Sequence, residues 1–399
     1  MVSNIFLYVI FFTLYFWKIK DKLSRPLFSC LAIIYVIASL AACYTAYQPD
    51  YLHLPKSTIG VIYHIVTMLI LLSAFKHMDS FSASPVEIRA NTMLRYFSWL
   101  VVFFNGVVIA TNIGNVNLDM VQNDVLSIRS AMEMGEVGAV QTGWQRYPYF
   151  FGSCYWMVAI ALSFYFMIVT PKNKILIYSL LLSSTSILVY GMAIASRDCM
   201  LVYFYVFLFL YFIVKKNLPE LWRKRTNYVT LVGGGIAGAF FILVTFIRFF
   251  FMADQGRGQA GTIGYIGQGL VNFQSAFSEY PNGLTHGTSK FPFFVGSSIS
   301  RFNLGDTISS SLGLNVFYTT VGSWVMDVGV WITLIIVFIY YTVIKKVFSL
   351  RKSAFSLIYV AIALHFAFYV IFYQVTSMTG TLLFAYLAIV GMDLITRRR

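Results

Sequence analysis

Charge is what this 399-residue chain has least of: Asp, Glu, Lys and Arg together make up 11% of it, and only 15 residues are acidic. A soluble domain carries roughly a quarter charged residues, so a water-facing globule is excluded. Cysteine is scarce as well. Cys30, Cys43, Cys154 and Cys199 lie in or at the ends of apolar runs, with no CxxC and no Cys/His cluster. That excludes a disulfide framework and a thiolate metal site. There is no P-loop, no HExxH and no DxD-like carboxylate pair, so no motif points to a nucleotide or a resident metal, and no cofactor is expected. No internal repeat is evident, which argues against a transporter built from duplicated halves.

What is abundant is apolar: 59% of residues are hydrophobic and the mean hydropathy is +0.74. Apolar runs fall near 2–17, 27–47, 59–74, 96–110, 148–169, 175–195, 199–214, 228–251, 324–344, 354–373 and 378–395. A helix needs about 20 apolar residues to cross a bilayer. The runs are continuous rather than alternating, so a closed barrel is excluded. The expected fold is all-α: a polytopic integral membrane protein, about 11 transmembrane helices forming a single domain over 1–399. The first run ends in KIKDK instead of a small-residue cleavage site and reads as an uncleaved span.

Basic residues set the orientation. Segments after the odd-numbered runs (KIKDKLSR, 75–95, TPKNK, KKNLPELWRKR, KKVFSLRK and TRRR) hold 21 of the 29 Lys and Arg residues. Under the positive-inside rule these face the cytoplasm, with the N-terminus outside and the C-terminus inside. The net charge of +14 therefore follows from insertion and calls for no nucleic-acid partner. Anionic membrane lipids are the expected contacts of those loops.

Two outer loops are long, 111–147 and 252–323. The first mixes acids and small polar residues. In the second, Ile263, Ile266, Leu270, Phe273 and Phe277 recur at spacings of three and four, which predicts an amphipathic helix on the outer interface. Gly264, Gly267 and Gly269 weaken its start. In the run near 228–251, Gly234 and Gly238 have the spacing of a close helix contact.

Eight basic residues remain on the outer side: Lys56, Arg129, Arg146, Arg197, Arg248, Arg257, Lys290 and Arg301. Arg197 sits in the short turn ASRDC, and Arg248 is flanked by Phe246, Phe249, Phe250 and Phe251. Snorkelling to headgroups, or pairing of Arg197 with Asp198, is the bland reading. The sharper reading is anion binding: a guanidinium fork matches phosphate oxygens, and a membrane-level pyrophosphate suits Arg197, Arg248, Arg257 and Arg301. His286 is the histidine of the 252–323 loop and fits a proton acceptor for a sugar hydroxyl. Glu279, Asp306 and Asp327 are the carboxylate alternatives, and Asp327 also suits a cap at the start of the ninth span. Tyr265, Tyr280, Tyr318 and Trp324 offer stacking faces for sugars, and equally fit an interfacial aromatic belt.

Three stretches carry a family resemblance: SRDCMLVYFYVFLFLYFIVKKN, the outer loop with YIGQGLVNFQSAF after an arginine-bearing span, and GLNVFYTTVGSWVMDVGVWITLI. Across roughly 195–345 the chain resembles O-antigen polymerases of the Wzy type and the wider oligosaccharide repeat unit polymerases. The resemblance implies a GT-C-like fold with the 252–323 loop capping the active site. It implies an inverting, metal-independent glycosyltransferase at the periplasmic face of the bacterial inner membrane, in lipopolysaccharide or related polysaccharide biosynthesis. Its substrates would be undecaprenyl-pyrophosphate-linked repeat units, and a chain-length regulator and a flippase would be its partners. The pyrophosphate-holding role falls on Arg197 and Arg248, then on Arg257 and Arg301, and His286 takes the acceptor-side role of the related ligases. The alternatives are an O-antigen ligase and, from another class, a lipid-linked oligosaccharide flippase.

Overall fold

A computed structural model describes residues 4–20, 26–52, 57–88, 92–115, 146–193, 198–235, 261–283, 319–371 and 378–397. Among these residues the structure is helical, apart from an isolated parallel bridge between Val86 and Lys352. The helices are α1 (Phe6–Lys20), α2 (Pro26–Ala46), α3 (Pro49–Leu52), α4 (Thr58–Ser73), α5 (Met78–Ala83), α6 (Thr92–Asn112), α7 (Arg146–Val169), α8 (Lys174–Ser184) and α9 (Ser186–Ala193). They continue as α10 (Asp198–Val214), α11 (220–235), α12 (Gly261–Glu279), α13 (Thr320–Val347), α14 (Ala354–Ile371) and α15 (Met378–Arg397).

Six helical stretches among the described residues are long and apolar enough to cross a membrane: Pro26–Ala46, Thr58–Ala83, Thr92–Asn112, Phe151–Val169, Lys174–Ala193 and Thr320–Val347. Shorter apolar helices cover Phe6–Lys18, Cys199–Val214, Ala354–Val370 and Tyr386–Thr396. Outward faces are greasy: Trp331 is 78% and Leu231 76% exposed. Large apolar side chains left open at that level mark a surface built for lipid. The eighth expected run, 228–251, is described only to residue 235. Its helix starts at residue 220, so WRKR forms helical turns where a loop is expected. Trp222 Nε1 donates to the Pro171 carbonyl at 3.2 Å and fixes that start.

The chain divides into two compact units. The first comprises Met1–Asp79, Phe249–Ser349 and Phe366–Thr381. Within it α1 packs against α2 and α4, and the Asp79 carboxylate accepts from the amides of Leu27 and Phe28, each at 3.0 Å. Those amides open α2 just after Pro26, where a helix has donors without partners and a favourable field for an anion.

The second unit comprises Ser80–Arg248, Leu350–His365 and Leu382–Arg399. Here α6 runs along α7, and buried Asn105 is satisfied at both ends, donating to Tyr155 O at 3.3 Å and accepting from Ser186 Oγ at 3.4 Å. On the side assigned to the cytoplasm, Lys352 is 0% exposed. Its ammonium donates to Ser82 O (2.8 Å), Ile213 O (3.4 Å) and Asn217 Oδ1 (3.0 Å) and lies over the Phe81 ring. The two carbonyls belong to the last turns of α5 and α10, where a cation meets unpaired acceptors and the negative end of the helix dipole.

Burial, and secondarily the nearby Lys216 charge, pushes the Lys352 amine down from 10.5 to about 8. A folded-state value below the unfolded one means that the unfolded chain binds more protons between pH 8 and 10.5. Native stability therefore rises with pH across that window. The advantage of the unmodified protein over Lys352→Met is expected to be larger at pH 10 than at pH 7. The gain is about 1–2 kcal/mol after discounting for solvent screening at the loop. Thermal unfolding of both proteins at the two pH values checks it. An advantage that shrinks as pH rises contradicts the burial argument.

Candidate functional site

The candidate site is built around α12, inside the segment assigned to the large outer loop. The expected helix is there, over Gly261–Glu279, but it does not lie along a surface. Residues 267–276 are buried, and α12 packs against α2, α4 and α13. A Cβ added at Gly267 would come within 2.4 Å of the Ala41 backbone. The glycine that weakens the helix intrinsically is thus what lets two backbones touch.

One face of α12 meets a buried polar line. Gln274 Nε2 donates to the Tyr8 hydroxyl at 3.1 Å, and that hydroxyl lies 2.7 Å from His64 Nδ1. His64 Nε2 is in turn 2.9 Å from Thr319 Oγ1. Phe273 stacks on the imidazole, with ring centres 3.8 Å apart. A neutral imidazole is a donor at one nitrogen and an acceptor at the other, so the line runs unbroken from α12 through α1 and α4 to the start of α13. Thr319 also caps α13, accepting from the Gly322 amide at 3.2 Å. The start of α13 is thereby tied to three other helices.

Replacing His64 by Phe keeps the stack on Phe273 but strips the Tyr8 and Thr319 hydroxyls of a partner. The expected loss is about 2 kcal/mol of stability. Adding Tyr8→Phe removes one hydroxyl of the line but also takes the acceptor from the buried Gln274 amide, so the double variant is expected to lose less than the sum of the two single variants. Simple addition of two losses contradicts the proposed line.

α13 is broken. Gly329 has φ 83° and ψ 174°, which no helix contains and which side chains other than glycine rarely adopt. The break is sharp. Residues sixteen apart on a straight helix are separated by roughly 24 Å. The rings of Trp324 and Tyr340 are nonetheless 5.0 Å apart, and both stack on Phe366. Consecutive residues of α4 reach both sides of the break: His64 meets Thr319, and the Tyr63 hydroxyl donates to Val330 O at 2.7 Å. Into the bend fits the turn after α12. Val330 N donates to Pro281 O at 2.9 Å, and Gly283 N donates to Tyr280 O at 3.0 Å. Gly283 also has a positive φ, 81°, and a Cβ there would lie 2.7 Å from Gly329 N. Two glycines make the two backbones meet.

Four of the expected site residues and their alternatives can be placed. Asp327 is 2% exposed, two residues before the break. It does not cap α13, because Thr319 does; it lies buried within the helix beside the bend. Trp324 is 2% exposed within the Tyr340 and Phe366 cluster, so its ring offers no open face to a sugar and does not belong to an interfacial belt. Tyr280 is half-buried at the start of the 280–283 turn. Just before it, desolvation raises the Glu279 carboxyl above its ordinary value. Arg197, Arg248, Arg257, Arg301, His286 and Tyr318 lie outside the described residues.

Sequence reading passes over Tyr8, His64, Gln268 and Gln274. Their signal is polarity inside apolar runs, which is costly without a partner and marks a site. Among the described residues no group of three or more His, Cys, Asp or Glu gathers closely enough to hold a metal ion. The chain matches no protein-family model, no curated protein and no solved structure.

Proposed function

We propose that this chain is an inverting, metal-independent glycosyltransferase that polymerises undecaprenyl-pyrophosphate-linked oligosaccharide repeat units at the periplasmic face of the inner membrane. Eleven spans, an outer N-terminus and an inner C-terminus belong to this reading. The observation that carries it is the charge pattern. Against 21 basic residues assigned to the inner side, eight are left to the outer side, among them Arg197 in a short turn and Arg248, Arg257 and Arg301 in and around the long loop, in a chain without a nucleotide motif. That pattern suits a donor activated by a lipid pyrophosphate.

The chemistry follows from those groups. As the anomeric C–O bond of the growing chain breaks, negative charge develops on the pyrophosphate, and Arg197 and Arg248 stabilise it, supported by Arg257 and Arg301. The hydroxyl of the incoming unit attacks from the opposite side while His286 takes its proton, with Glu279 as the carboxylate alternative. A single displacement inverts the centre and needs no covalent intermediate. Lipid anchoring of both substrates confines and orients them. Tyr280 and Tyr318 border the sugars.

The direct test is reconstitution of the purified protein with its host's lipid-linked repeat unit in the presence of a chelator. A ladder of lengthening lipid-linked products is the expected result. A protein that binds the substrate but yields no ladder is not a polymerase, and transfer to a lipid A core acceptor or translocation would then be assayed instead.

A further inference from the structure

On the polymerase reading, we infer that the edge of α12 formed by Gln268, Asn272 and Ser275 is a subsite for the neutral hydroxyl groups of the glycan. Residues 268, 272, 275 and 279 fall within about 60° of one another around a helix turning 100° per residue. These positions differ from Gly267, which meets α2, and from Phe273 and Phe277, which stack with His64 and Tyr63.

Gln268, Asn272 and Ser275 are all buried. Gln268 Nε2 and Ser275 Oγ have no protein hydrogen-bond partner. The Gln268 amide is nonetheless held in place, because its oxygen accepts from the Tyr51 hydroxyl at 3.0 Å. A fixed, buried amide whose donor is unused is expensive in an apolar bundle, and a ligand hydroxyl removes that cost.

The chemistry selects the ligand class. An amide presents a donor and an acceptor in one plane, and a hydroxyl presents both on one atom, so the row matches the successive hydroxyls of a sugar. α12 contains no Lys or Arg, which disfavours a phosphate. The pyrophosphate therefore belongs with the arginines and the sugars with this edge.

The test uses the full-length protein in lipid nanodiscs and, as probe, the oligosaccharide released from the host's lipid-linked repeat unit by mild acid. Binding is measured by calorimetry and stability by thermal unfolding. The variants are Gln268→Leu and Ser275→Ala; the second removes one oxygen and leaves the packing intact. The expected result is binding weakened about ten-fold or more in each variant. Ser275→Ala removes an orphaned polar atom and should unfold at a temperature equal to or above that of the unmodified protein, whereas Gln268→Leu also removes the acceptor of the Tyr51 hydroxyl and is read for binding alone. Unchanged binding in both variants overturns the subsite and leaves the polymerase reading standing. A clear drop in unfolding temperature in Ser275→Ala assigns these groups to the fold and also overturns it. If the unmodified protein neither binds the oligosaccharide nor makes a ladder, the polymerase reading fails and the subsite fails with it.

Discussion

Arg248→Ala is expected to lower the polymerisation rate of the reconstituted protein by about 10²–10³-fold, the range seen when one fixed donor to a developing anion is removed. Arg248→Lys is expected to restore little of it. A lysine keeps the charge but offers a point where arginine offers a planar fork, so it cannot bridge two phosphate oxygens. This comparison separates the two readings of an arginine set among phenylalanines. If Arg248 only snorkels to lipid headgroups, lysine, which snorkels equally well, retains full activity. The same pair of changes at Arg197 should behave alike. Full ladders in all four variants would remove both residues from the site.

Gly329→Ala is expected to cost about 3–5 kcal/mol of stability. Two terms add: a side chain at φ 83° and ψ 174° is strained, and the new Cβ would lie 2.7 Å from the Asn282 backbone carbon. Backbone on both sides leaves the clash no flexible end to move. Gly106→Ala is the matched control. A Cβ at that helical glycine has nothing within 4 Å, so the change should be neutral or stabilise by up to about 1 kcal/mol. Thermal unfolding in detergent or nanodiscs measures both. An unaffected Gly329→Ala protein would mean that the bend does not depend on glycine. Because the bend joins the turn after α12 to the segment that holds Asp327, a smaller defect that spares folding should still register in substrate affinity.

How much of this was legible beforehand varies from element to element. Apolar runs of about 20 residues force helices in a bilayer, since the backbone can satisfy its hydrogen bonds only internally there. The helices over the described parts of those runs therefore follow from composition, and the expected orientation follows from Lys and Arg placement alone. The spacing of Ile263, Ile266, Leu270, Phe273 and Phe277 likewise determined that α12 is a helix. It did not determine where α12 goes. Periodicity marks an apolar stripe without identifying what covers it, and a stripe facing lipid looks the same as one facing α2 and α4. Only tertiary contact decided that α12 is buried, that His64 joins Tyr8 to Thr319, and that Trp324 packs on Phe366 rather than facing a sugar. The bend at Gly329 was equally hidden. A glycine between Val328 and Val330 reads locally as an ordinary helical position, and its positive φ is imposed by Gly283 and the 280–283 turn, nearly fifty residues away in sequence. Local patterns set which segments are helical because that energy is local. The polar line, the bend and the unused Gln268 donor arise from contacts between distant segments, which no single stretch of sequence encodes.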